Sequence, residues 1–123
     1  MERPLAGRSI LVVEDEPLIA MHVTQTFEAA GAHVVTARTL REAICLAETD
    51  GLSAVVLDHA LGDGESSKLC SRLKEREIPF VLYSGFADLE GAYEGALLVP
   101  KPAHPAVLVT TVEAVLRPPP ISN

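Results

Sequence analysis

The sequence has little of several features that mark whole classes of protein. Its 123 residues include only two cysteines, Cys45 and Cys70, both in segments predicted to be helical. We therefore expect buried, reduced thiols rather than a disulfide or a metal pair. Lysine and arginine form no run, and the net charge of −7 argues against a nucleic-acid surface.

Long apolar segments are also missing. No stretch approaches the ~20 apolar residues of a membrane-spanning helix, and the first ten residues lack the apolar core of a signal peptide. These absences favour a cytoplasmic location, with neither nucleic acid nor a membrane as a partner. What the chain does have is 48% apolar residues, enough for one globular domain with a single core.

Short apolar runs recur along the chain and alternate with segments of helical spacing. The predicted strands are 9–13, 33–37, 54–57, 78–83 and 96–99, and the predicted helices are 17–30, 40–49, 64–76, a weak one at 87–95, and one that starts at 105. Pro17 suits the first helical turn, Gly31 its end, and Thr39 with Glu42 a capping box. Five strands that alternate with five helices predict a doubly wound α/β domain with a parallel sheet.

The stretch 52–64 (LSAVVLDHALGDG) contains the most informative strand. Its apolar run suits a strand that is buried on both faces, and the glycines and aspartate at its end predict a loop. Asp58 therefore lies where a buried strand gives way to a loop, at the edge of an α/β sheet where ligands bind. Taken alone, Asp58 is equally well interpreted as a reactive carboxylate or as a loop-capping residue.

Polar residues follow four of the five predicted strands, and they are Glu14, Asp15, Asp58, Ser84 and Lys101. If these strands lie side by side, the five residues gather at one edge of the sheet. Oxygen ligands without thiols favour Mg²⁺, and a hydroxyl and an ammonium beside it suit a phosphoryl group. Individually, Lys101 is also consistent with a surface lysine and Ser84 with a turn.

This set of residues resembles that of a response-regulator receiver domain of two-component signalling. The resemblance rests on Glu14-Asp15 after the first strand, Asp58 after the third, Ser84 after the fourth and Lys101-Pro102 after the fifth. It covers residues 9–116 and implies a flavodoxin-like sheet of order 2-1-3-4-5 with five helices. Residues 1–8 then form a lead-in, 9–117 the receiver domain and 118–123 a short tail.

The resemblance also implies a role for each matching residue. Asp58 accepts a phosphoryl group from a sensor histidine kinase or a histidine phosphotransfer protein. Asp15 and Asp58 bind Mg²⁺ directly, the backbone carbonyl of Ala60 is a third ligand, and Glu14 acts through water. Ser84 and Lys101 then bind the phosphoryl group.

Two departures from the family pattern concern switching. Leu98 occupies the position where the family commonly has an aromatic switch residue, and the fourth predicted helix is short and interrupted by glycines. The run from Pro79 to Phe86 resembles a Phe-x-Thr-Gly-type subgroup that is common among alphaproteobacterial single-domain regulators. Tyr83 or Phe86 is a candidate for the switch role.

Function classes other than a phosphoacceptor module stay open. One is a receiver-like module that binds an unknown protein target without phosphorylation; the other is a metal-dependent aspartyl-phosphate hydrolase. Such hydrolases usually carry a second acid two positions after the nucleophile, and Ala60 cannot transfer protons there. We therefore expect a protein that is not an enzyme beyond its own phosphoryl transfer and dephosphorylation.

Seven residues follow Leu116. This is too short a segment for a DNA-binding domain, so we expect either a stand-alone regulator or a piece of a longer protein.

Overall fold

The computed structural model describes residues 3–58, 67–84, 97–100 and 104–116. The strands are β1 (Ser9–Val13), β2 (His33–Ala37), β3 (Ala54–Asp58), β4 (Phe80–Ser84) and β5 (Leu97–Pro100). The helices are α1 (Pro17–Ala29), α2 (Leu40–Leu46), α3 (Ser67–Glu75) and α4 (Pro105–Leu116). Within these ranges no helix is both long enough and apolar enough to span a bilayer.

All neighbouring strands pair in parallel, in the order β2-β1-β3-β4-β5. The predicted α/β class, parallel sheet and strand order are therefore confirmed. The predicted total of five helices is not: four helices lie in the described part of the chain, and the weak helix expected at 87–95 falls outside it.

The core has two halves, one on each face of the sheet. Alternate residues of β1 and β3 point to opposite faces because side chains alternate along a strand. On one face Ile10 and Val56 belong to a cluster with residues of α1 and α4, including Phe27 and Leu108. The opposite face packs against α2 and α3, with a cluster that includes the following residues: Leu11, Val13, Val55, Leu57, Leu40, Leu69 and Leu73. The central strands are covered on both sides, as their continuous apolar runs predict.

Helix ends follow the predicted capping chemistry. Pro17 is the first residue of α1, Ala30 caps its end, and Gly31 follows with a φ of +100°. The hydroxyl of Thr39 accepts a hydrogen bond from the Glu42 backbone N–H at 3.1 Å. The Glu42 carboxylate reaches one residue further than a standard capping box, because it accepts from the Arg38 N–H at 3.2 Å.

Several predicted boundaries shift. Helix α2 ends at Leu46 rather than at 49, where the chain turns towards Gly51, which has a φ of +85°. Strand β4 begins at Phe80 rather than at 78, because the Ile78 N–H still bonds the carbonyl of Leu73 in α3. Strand β5 runs one residue later than predicted.

Two expectations about burial were wrong. Cys70 is buried, but Cys45 is exposed on the outer side of α2. The apolar residues Val107, Leu108 and Val112 of α4 are likewise expected in the core from their sequence; Leu108 and Val112 lie there, whereas Val107 is 46% exposed. In both cases the helix turns that residue away from the sheet, so its apolar character alone did not decide its burial.

Candidate functional site

Three strands bring side chains to one corner of the sheet. The pairing of β1 with β3 aligns Val13 with Leu57, and the pairing of β3 with β4 sets Asp58 opposite Tyr83. Glu14 continues the β1 ladder, since its N–H bonds the carbonyl of Ala37 at 2.9 Å.

The alternation of side chains decides which of these residues meet. Glu14 follows Ile10 and Val12 at intervals of two, and Asp58 follows Ala54 and Val56 in the same way. Those four apolar residues belong to the cluster that packs against α1 and α4, and so does Tyr83. Glu14, Asp58 and Tyr83 therefore share one face at the carboxyl edge of the sheet.

Three carboxylates form the centre of this corner. One oxygen from each of Glu14, Asp15 and Asp58 lies within 4.8 Å of the others. Glu14 is 1% exposed and Asp58 3%, whereas Asp15 is exposed. Two buried acids at this separation repel each other in a region that screens charge poorly, so the cluster requires hydrogen-bond donors or a cation.

Donors are present at both oxygens of Glu14. The backbone N–H of Glu16 donates to Oε1 at 3.0 Å, and the Tyr83 hydroxyl donates to Oε2. The Glu16 side chain itself is exposed, as expected for an acid at the start of α1.

Burial changes the pKa values of Glu14 and Tyr83. Loss of hydration raises the pKa of Glu14 from 4.5 to about 7, the Asp58 charge adds to that rise, and the hydrogen bonds from Tyr83 and Glu16 oppose it. Burial, the bond to Glu14 and the neighbouring carboxylates all raise the pKa of Tyr83, so the phenol stays protonated and remains a donor.

The three carboxylates of the cluster are ligands that fit a hard divalent cation. Carboxylate oxygens, one exposed and two buried, suit Mg²⁺, which takes one or two carboxylates and keeps several waters. A cation in the cluster would also remove the cost of holding the buried acids ionised together. Among the described residues this is the one group of potential ligands that converges in this way.

The structure thus brings together Glu14, Asp15 and Asp58, three of the residues expected from the sequence. Ser84 is the last residue of β4, opposite Pro100, and Leu98 lies in β5, opposite Leu82. The remaining predicted site residues, Ala60, Lys101 and Phe86, lie outside the described ranges, as does His59. The other histidines, His22, His33 and His104, are exposed.

One partner in the site was missed by the sequence reasoning. Tyr83 was expected as a candidate switch aromatic, not as a hydrogen-bond donor to Glu14. Tyr83 and Asp58 pair directly and point to the same face, but this pairing is a property of the assembled sheet and cannot be seen in either segment alone. The distance of 69 positions between Tyr83 and Glu14 hides the contact from any local pattern.

Comparisons with known proteins agree with this architecture. The response regulator receiver domain family matches residues 10–113. The phyllosphere-induced regulator PhyR of Methylorubrum extorquens is 34% identical over 114 residues, which are 87% of this chain and 43% of PhyR. The transcriptional regulatory protein PhoP of Bacillus subtilis, which acts in alkaline phosphatase synthesis, is 30% identical over 90% of this chain and 49% of its own length.

Solved structures of receiver domains have the same fold as this chain. The non-phosphorylated HemR receiver domain from Leptospira biflexa superposes with a TM-score of 0.80 at 28% identity, covering 94% of this chain and 99% of that domain. A CheY-like receiver domain protein from Methanospirillum hungatei gives 0.79 at 27% identity, covering 89% and 93%. This chain spans less than half the length of PhyR and PhoP. The chain belongs to the family of response regulator receiver domains, the signalling modules of two-component systems.

Proposed function

We propose that this receiver accepts a phosphoryl group on Asp58 in a Mg²⁺-dependent reaction, and that the phosphorylated form changes its affinity for a protein target. The observation that carries the proposal is the buried Asp58 carboxylate at the end of β3, grouped with Glu14 and Asp15. The donor would be a phosphohistidine of a sensor histidine kinase or of a histidine phosphotransfer protein. We take the receiver unit as residues 9–117.

In this reaction an Asp58 oxygen attacks phosphorus, the P–N bond breaks and the imidazole leaves. Asp15 and Asp58 are the proposed metal ligands with the Ala60 carbonyl, and Glu14 binds through water. Bound Mg²⁺ supplies positive charge for the phosphoryl oxygens, and positioning and charge neutralisation are what phosphoryl transfer chiefly needs.

The other roles follow from the family pattern. Ser84 would donate its hydroxyl to a phosphoryl oxygen, and Lys101 would pair with the phosphoryl group. A new dianion at Asp58 would draw these donors towards it, which gives a physical basis for switching. Tyr83 and Phe86 remain the candidate aromatics for transmitting that change, because Leu98 is at the usual position.

The test is intact-protein mass spectrometry after incubation with Mg²⁺ and a phosphohistidine donor or acetyl phosphate. The expected result is one added phosphoryl group on the parent and none on Asp58→Asn. Asp50→Asn is the matched control, because Asp50 is an exposed acid outside the cluster, and it should be labelled like the parent. Labelling of Asp58→Asn to the parent's level, or no labelling of the parent by any of these donors, would refute the proposal.

A further inference from the structure

Glu14 is held in place by two donors of different kinds. The Glu16 N–H that bonds Oε1 belongs to the backbone where α1 begins, so every sequence that forms this turn provides it. The Tyr83 hydroxyl that bonds Oε2 is a side-chain group, and only tyrosine provides it at this position.

The packing of Tyr83 fixes the direction of its hydroxyl. Its ring lies in the apolar cluster that includes Phe27 of α1 and Leu108 and Val112 of α4, and Tyr83 as a whole is 4% exposed. A tyrosine side chain has only two rotatable bonds before its hydroxyl, so a ring buried in this cluster leaves the O–H few alternatives to its bond with Glu14 at the carboxyl edge of the sheet.

The surroundings of Glu14 make this donor necessary. Asp15 and Asp58 each place a carboxylate oxygen within 4.8 Å of a Glu14 oxygen, so an ionised Glu14 carboxylate lies among like charges. The Tyr83 bond holds the carboxylate in place against that repulsion. Each carboxylate oxygen has two lone-pair positions, so Oε2 can accept from Tyr83 and still accept from a water.

We infer that Tyr83 is a positioning residue of the cation site, whose hydroxyl holds the Glu14 carboxylate in the orientation that receives a metal-bound water. The inference rests on the proposed function, in which Glu14 acts through water. Residues that hydrogen-bond to the groups around a metal and orient them typically cost about 10- to 100-fold in metal affinity when they are replaced. Because Glu14 itself acts through water, we expect an effect at the low end of that range.

The experiment measures the Mg²⁺ dissociation constant by titration calorimetry for the parent, Tyr83→Phe, Glu14→Gln and the double variant. Tyr83→Phe removes one oxygen and keeps the packed ring. We expect it to raise the dissociation constant about tenfold in the parent background, and to change nothing further when Glu14 is already Gln. Thr111→Val is the matched control, because it removes a hydroxyl that bonds the Val107 carbonyl within α4, and its dissociation constant should equal that of the parent.

The outcomes separate this inference from the proposed function. A parent that binds no Mg²⁺ refutes the cation site of the proposed function itself. A parent that binds Mg²⁺ while Tyr83→Phe binds equally or more tightly overturns only the role of Tyr83. An equal loss in the parent and Glu14→Gln backgrounds also overturns it, because the effect would then not pass through Glu14.

A second measurement does not depend on the folding of Tyr83→Phe. The ring carbon that bears the hydroxyl can be labelled with ¹³C in both tyrosines, and Tyr93→Phe identifies the Tyr83 signal. That signal should shift as Mg²⁺ is added. A fit of the shift against Mg²⁺ concentration should give the same dissociation constant as calorimetry, and the shift should disappear in Glu14→Gln. A Tyr83 signal that is unaffected by saturating Mg²⁺ contradicts the inference.

Discussion

The buried carboxylate of Glu14 should make the cation-free protein less stable as the pH rises, and Glu14→Gln should remove that dependence. The pKa of Glu14 is 4.5 as a free group and about 7 in the folded chain. The unfolded chain therefore releases the proton at a lower pH than the folded chain does. A raised pKa of an acid stabilises the fold below pH 4.5, and this contribution is lost as the pH rises through about 7.

The magnitude follows from the size of the shift. A difference from 4.5 to about 7 at roughly 1.36 kcal/mol per pKa unit corresponds to about 3 kcal/mol. That is a large part of the stability of a small domain. Within the described ranges, the titratable groups that face the Glu14 carboxylate are Asp15, Asp58 and Tyr83, and Tyr83 remains protonated throughout this range.

The assay is urea unfolding followed by far-ultraviolet circular dichroism in the presence of a chelator, at intervals from pH 4.5 to pH 8.5. The free energy of unfolding of the parent, minus that of Glu14→Gln, should fall by about 3 kcal/mol across this range. Taking the difference cancels the titration of the four histidines. Added Mg²⁺ should restore the stability of the parent above pH 7 and change that of Glu14→Gln less.

A difference curve that is flat or rises with pH would refute the reasoning. Such a result would mean that the Glu14 carboxylate is well solvated or fully compensated in the folded chain, against its 1% exposure.

Two further predictions concern other parts of the fold. Gly31→Ala should lower the free energy of unfolding by more than about 1 kcal/mol in urea titrations, because a Cβ there would lie 2.8 Å from the Arg3 Cβ and 3.0 Å from the Ala6 backbone at a φ of +100°; an unchanged unfolding midpoint would contradict this. Cys45 should react with a thiol reagent in the native protein, because it is exposed. Cys70 should react only on unfolding, because burial raises its pKa to about 12. Fast modification of both thiols in the native protein would contradict this and show that α3 opens readily.

Part of the candidate site could be predicted from local sequence patterns. Apolar runs followed by acids predicted that Glu14, Asp15 and Asp58 would lie at the same edge of the sheet, and the three carboxylates do meet there. That prediction needed only the strand ends and the rule that parallel strands share an edge. It did not distinguish the exposed Asp15 from the two buried acids.

Element ends were harder to predict than the elements themselves. The start of β4 depends on a hydrogen bond from Ile78 to Leu73, which belongs to the end of α3 rather than to the β4 segment. The exposure of Cys45 depends on which side of α2 faces the sheet. Both are consequences of packing between elements, which the apolar character of one residue does not encode.

The sequence by itself determined the alternation of strands and helices, the parallel sheet and the set of acids at its carboxyl edge, because these follow from local periodicity, turn residues and the handedness of crossovers. Only the tertiary structure decided that Tyr83 donates to Glu14, 69 positions away, and that the Glu14 carboxylate is buried, which raises its pKa. The physical reason is that the register between β1, β3 and β4 sets which side chains share a face and a level. That register is a property of the assembled sheet rather than of any one segment.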